Sequence, residues 1–149
     1  MTEVLFYHLT ERTLEQVLPG LLEKCLERQW RTVVQAGTQE RLEALDNHLW
    51  TWREESFLPH SALRDGTESL QPVWLTTDTD NPNNANVRFM VDAAIPPDLG
   101  PYLRAVYIFD GHDNTALDVA RLRWKVEKDA GHDVTYWQQN PQGRWEMKA

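Results

Sequence analysis

Asp110, His112 and Asp113 crowd into one six-residue stretch, FDGHDN (109–114). Two carboxylates and an imidazole are groups that move protons near neutral pH. At the end of a strand they would face the place where α/β proteins bind their ligands. The same residues also make an ordinary turn, in which Gly111 supplies backbone freedom and Asp113 or Asn114 caps the next helix. Nothing else in the chain completes a catalytic constellation. His8, His48, His60, His132 and Cys25 lack metal-ligand spacing, and there is neither a nucleophile elbow nor an HExxH pair. The seven glycines form no GxGxxG and no GxxxxGK[ST], and TERTLEQ, after the first strand, has no glycine at all. A phosphate cradle needs glycines for close backbone approach, so the nucleotide fingerprint is absent. No catalytic residue, cofactor or metal is expected. A small α/β enzyme or nucleotide binder using Asp110, His112 and Asp113 stays as the alternative.

A second constellation suits binding rather than turnover. Projected at 3.6 residues per turn, NTALDVARLRWKVEK (114–128) gathers Ala116, Val119, Leu122 and Val126 on one side, expected to face a sheet. Leu117, Arg121, Trp124, Lys125 and Lys128 gather on nearly the opposite side. Arg123 falls near the inward side, where it would have to reach back to water. Basic residues near a helix C-terminus are favoured by the dipole, which accounts for the cations but not for an indole among them. A ring surrounded by Arg and Lys suits an acidic partner that brings its own apolar group. An acidic peptide fits this small patch better than single-stranded nucleic acid does, because the whole chain is acidic.

The third feature is LDNHLWTWREESFLPH (45–60). Leu42, Leu45, Leu49 and Trp52 share a helical face, and Trp50 lies off it. Beyond the helix the residue before Pro59 is extended, so Phe57 and Leu58 point to opposite sides. Trp50, Phe57 and His60 therefore make an apolar contact patch, or else Trp50 and Phe57 fold onto each other as a lid over the core.

The elements that must position these groups alternate between strand and helix. VLFYHL (4–9), TVVQAG (32–37), VWLTT (73–77), NVRFMVDA (86–93) and YLRAVYIFD (102–110) read as strands, with VTYWQQ (134–139) and RWEMK (144–148) as a last strand or hairpin across NPQG. Leu14, Val17, Leu18, Leu21, Leu22, Cys25 and Leu26 recur at helical steps, with Thr13 and Gln16 at capping-box spacing. Pro19-Gly20 means that this helix either kinks there or begins there. Thr38 is the expected cap of the next helix. The order predicts a three-layer α/β/α sandwich on a mostly parallel sheet, residues 1–149 forming one domain.

Composition narrows the function. Of 149 residues 41% are hydrophobic and 26% charged, which is globular composition. The net charge of -8 disfavours nucleic acid and anionic membrane as direct partners of the whole surface. One cysteine, and no apolar run at the N-terminus, suit a cytoplasmic protein without signal peptide or membrane span.

The opening FYHL, the W…ESF-[LV]-PH core of the aromatic passage, and RLRWK…AG followed by Trp137 resemble the chi subunit family of bacterial DNA polymerase III, an accessory protein of the clamp loader. The order and spacing run across most of the chain. The resemblance implies a nucleotide-binding-like fold with no nucleotide site and no catalysis. It implies a psi partner at Trp50, Phe57, Leu58, Pro59 and His60. It also implies capture of the acidic, Phe-terminated tail of single-stranded DNA-binding protein by Arg121, Trp124, Lys125 and Lys128. DNA would then be reached only indirectly, and the chain would be a monomer outside the complex. Trp124 stands where the family pattern commonly has tyrosine, and Leu117 where a further lysine can sit. NPQGRWEMKA runs past the family's usual end. Psi is less widespread than chi, so a helicase-like protein is another partner for the Trp50 patch.

Overall fold

β-Branched and aromatic runs bounded by turn residues build the sheet, and period-3.6 apolar segments cover it. The computed structural model describes residues 2–51 and 72–148, the side chains of Trp50 and Thr51 excepted. The elements are β1 (Glu3–Leu9), α1 (Leu14–Glu27), β2 (Thr32–Gln35), α2 (Gln39–Thr51), β3 (Val73–Thr76), β4 (Val87–Val91), β5 (Arg104–Asp110), α3 (Asn114–Asp129), β6 (Asp133–Gln139) and β7 (Trp145–Met147). The sheet order is β3-β2-β4-β5-β1-β6-β7. The first six strands are parallel, and β7 returns antiparallel to β6.

The strands β2, β3 and β4 are buried throughout, as expected of parallel strands covered on both faces. Leu14, Leu18 and Leu22 of α1 and Leu42, Leu45 and Leu49 of α2 pack on one face, with Leu5, Phe89 and Val106. Ala116, Leu117, Ala120 and Trp124 of α3 pack on the other, with Phe6, Tyr107 and Phe109. The expected three-layer sandwich is therefore the architecture found.

Two local devices place the helices. Thr13 caps α1 with the anticipated reciprocal box, its Oγ1 accepting from Gln16 N while Gln16 Oε1 accepts from Thr13 N. Pro19 lies inside α1, which neither begins nor stops there. Proline has no N–H to give the carbonyl four residues back. His48 of α2 supplies the missing donor: its Nε2 bonds the Glu15 carbonyl at 2.6 Å. The Glu15 carboxylate in turn takes Arg41 of α2 at 2.6 Å, and the Arg41 bond holds that carboxyl below its ordinary value against the opposing effect of burial. The break that the sequence placed in the helix is thus a docking point between helices.

Candidate functional site

Asp110, His112 and Asp113 do come together, around a cleft of about 590 Å³ at the carboxyl ends of β1 and β5. Each has a structural task. Asp113 caps α3, its Oδ1 accepting from Thr115 N at 2.9 Å and Ala116 N at 3.3 Å. Asp110 Oδ1 accepts from His112 N at 2.9 Å, and His112 Nε2 bonds the Thr10 carbonyl at 2.8 Å. A side chain at Gly111 would run into the His8 ring and the Leu9 carbonyl, so the tight turn itself demands glycine.

The loop after β1 is where a nucleotide-binding fold turns its backbone N–H groups toward phosphate. Here Thr10, Glu11 and Arg12 aim their N–H groups at one acceptor, Gln139 Oε1, each at 3.1 Å. Gln139 is 4% exposed, and Thr10 Oγ1 donates back to its carbonyl at 3.0 Å. The chain's own amide oxygen occupies the position of an anion. From sequence alone Gln139 is only the last residue of a strand, VTYWQQ, with no role of its own.

The seam between α3 and β6 holds the second constellation. Trp124 is half-buried, its ring meeting Phe6 edge-on at 5.5 Å and Tyr136 edge-on at 5.9 Å. Lys128 Nζ stands 5.1 Å from the centre of the indole, a cation–π distance. Arg121 is 76% exposed at its side chain and pairs with Asp118 at 3.3 Å. Such an exposed pair is weak, so the guanidinium is free to exchange partners. Lys125 and Lys128 are exposed beside it. Burial raises the Tyr136 phenol above its ordinary pKa, and Arg121 across the seam opposes that rise. Its hydroxyl meets His8 Nδ1 at 2.6 Å.

The cations and the indole thus share one edge of α3, but the helix is rotated from the expected projection. Leu122 and Val126, expected against the sheet, are 62% and 40% exposed. The inward line is Ala116, Ala120, Arg123, Trp124 and Glu127. Arg123 does lie on the inward side and stays partly exposed; it donates to Glu127 Oε1 at 2.8 Å and to the Tyr107 hydroxyl at 3.2 Å. Opposite charges four residues apart neutralise each other beneath the helix, leaving two aliphatic residues outside. Hydropathy alone reads that arrangement backwards.

Tyr136 and His8 were missed as site residues. The signal was the alternation of VTYWQQ, which turns Val134 and Tyr136 toward α3 and Trp137 toward the α1 face. Trp50 falls in the last turn of α2; its side chain, with Phe57, Leu58, Pro59 and His60, lies outside the described residues. Among the described residues no helix is long and apolar enough to cross a membrane, and no cluster of three or more His, Cys, Asp or Glu could hold a metal ion.

The chain is 27% identical over 157 residues to a protein of Rickettsia prowazekii (strain Madrid E) named "Probable DNA polymerase III subunit chi", covering 97% of this chain and 91% of the relative. The family model of the DNA polymerase III chi subunit, HolC, matches residues 1–135, leaving only the end of β6 and the β7 hairpin outside it. An α/β sandwich with its phosphate position filled from within is thus the scaffold of a replication accessory subunit: the chain belongs to the DNA polymerase III chi subunit family.

Proposed function

We propose that this chain is a non-catalytic adaptor that tethers the replicase to protein-coated single-stranded DNA. The seam of α3 and β6 captures the acidic, aromatic-ended C-terminal tail of single-stranded DNA-binding protein. Arg121, Lys125 and Lys128 meet its carboxylates, and the exposed edge of Trp124, backed by Tyr136, receives its terminal ring. The Trp50, Phe57, Leu58, Pro59 and His60 patch pairs with psi or another protein of the clamp loader. The protein acts as a single domain in the cytoplasm, is a monomer outside the complex, and reaches DNA only through its partners.

The observation that carries this reading is the half-buried indole fixed edge-on by two rings, with Lys128 over its face and Arg121 and Lys125 alongside. A ring so held keeps an open apolar edge amid cations at no further ordering cost. Titration with an acidic peptide ending in Phe tests it. Binding weakens as salt rises, and Arg121→Ala weakens it further; the reading fails if neither change matters.

The cleft beside Asp110, His112 and Asp113 is the observation favouring an enzyme or nucleotide binder. That alternative requires Asp113→Ala to abolish a turnover or a ligand-induced melting shift. Against it stands Gln139, which fills the anion position, and the capping work of Asp113.

A further inference from the structure

On the opposite face of the sheet from the α3 seam, the C-terminal end of α1 closes over a cavity of about 190 Å³. Among the described residues its walls carry three cations, Lys24, Arg28 and Arg104, and no carboxylate, although the chain as a whole is at -8. Its apolar lining includes Leu21 of α1 and Phe89 and Val106 of the sheet. Trp30 and Trp145 border it, and both are preset by the fold. Arg28 and Arg104 bring their guanidinium carbons to 4.9 and 5.2 Å from the Trp30 ring centre. Trp145 stacks on Tyr7 with ring centres 4.6 Å apart.

Three like charges around one small cavity repel one another unless something neutralises them. Among the described residues Arg104 has one ion pair, to Glu3 at 3.3 Å, and its buried Nε–H has no hydrogen-bond partner. A buried donor without an acceptor is uncommon and calls for a reason. Among the described residues neither Lys24 nor Arg28 has an ion pair. The cation charge is felt inside the cavity: burial pushes the Cys25 thiol of its lining up to about 11, and Arg104 and Arg28 oppose that rise.

We propose that this cavity is a second binding site, which takes a carboxylate carried on a compact apolar body. The carboxylate is held by the guanidinium groups of Arg28 and Arg104, with Lys24 at the rim, in the paired geometry that arginine offers to planar anions. The body rests on Leu21, Phe89 and Val106 against Trp145. A cavity of about 150 Å³ holds one benzene ring, so this one accepts a single ring or a branched aliphatic group and excludes a strand of nucleotides. Two sources carry that chemistry, a free small acid and the C-terminal residue of a polypeptide. The site is independent of the tail-binding seam, and its occupancy does not depend on that reading.

The experiment titrates the full chain with 3-phenylpropionate while following the indole N–H signals of Trp30 and Trp145. Its uncharged twin, 3-phenylpropionamide, is the control, and N-acetyl-leucinate represents a chain terminus. Saturable shifts at both tryptophans are expected with the acids and not with the amide. Arg28→Gln, at an exposed position, should weaken binding about tenfold, whereas Arg121→Ala leaves it unchanged. Tighter binding of N-acetyl-leucinate than of phenylpropionate points to a chain terminus, and the reverse order to a free acid. The proposal is overturned if the acids give no saturable shift at millimolar concentration. It is equally overturned if the amide binds as well as the acid, if Arg28→Gln has no effect, or if thymidine monophosphate binds there more tightly than either acid.

Discussion

The Trp124 indole meets the Phe6 ring edge-on, 5.5 Å between centres. Phe6 belongs to β1, an interior strand between β5 and β6, and Trp124 to the surface helix α3, so one contact fixes the candidate site to the interior of the sheet. Trp124 is therefore both wedge and platform, and removing it should be felt in stability as well as in binding. Trp124→Ala lowers stability by about 2 kcal/mol, less than the about 3–5 kcal/mol of a fully buried tryptophan. Trp124→Phe recovers most of it. Urea unfolding of the two variants checks the order.

The Gln139 amide gives a sharper test, because three N–H groups depend on one oxygen. Gln139→Ala removes that acceptor from three part-buried N–H groups, which water reaches only in part, and costs about 1–2 kcal/mol. Gln139→Glu keeps the oxygen and adds a negative charge beside the N-terminus of α1, so it retains more stability than the alanine variant. Thermal unfolding of both proteins gives the comparison.

These two residues also mark how far the sequence could be read. Strands with bulky β-prone runs and the paired Thr13–Gln16 cap were legible because each depends on neighbours in the chain. The rotation of α3 was not. It turns on Arg123 and Glu127 pairing beneath the helix with the Tyr107 hydroxyl, a contact across 16 to 20 positions that no helical projection contains. Gln139 was equally hidden, since its partners lie 127 to 129 positions away. The cationic edge survived the rotation because Arg121, Trp124, Lys125 and Lys128 neighbour one another whichever way the helix is turned.

The bond from His48 to the carbonyl freed by Pro19 predicts non-additivity. His48→Ala alone leaves Glu15 O without a donor and costs about 1–2 kcal/mol. In a Pro19→Ala background residue 19 supplies the N–H, so the same His48 change costs less. A double-mutant cycle in urea measures the difference.

His8 predicts a pH dependence. Burial, followed by the charge of His112, pushes its imidazole below the ordinary value of 6.5, with Asp110 opposing. The folded state therefore holds that proton less tightly than the unfolded chain. Its contribution to stability is complete above pH 6.5 and declines as the pH falls through the depressed value. Wild-type protein should lose more stability between pH 7 and pH 5 than His8→Gln does. Parallel urea titrations at the two pH values decide it.

The α3 edge as a tail-binding surface is tested most directly by calorimetric titration of wild-type protein and Arg121→Ala with one acidic, Phe-ended peptide at two salt concentrations. Arg121 is exposed and its ion pair with Asp118 is a surface one, so the fold should be unaffected by the change. The predicted result is binding that weakens with salt and falls about tenfold in the variant, as for loss of one charge-assisted bond. Equal affinity of the two proteins, or no binding by either, would contradict it.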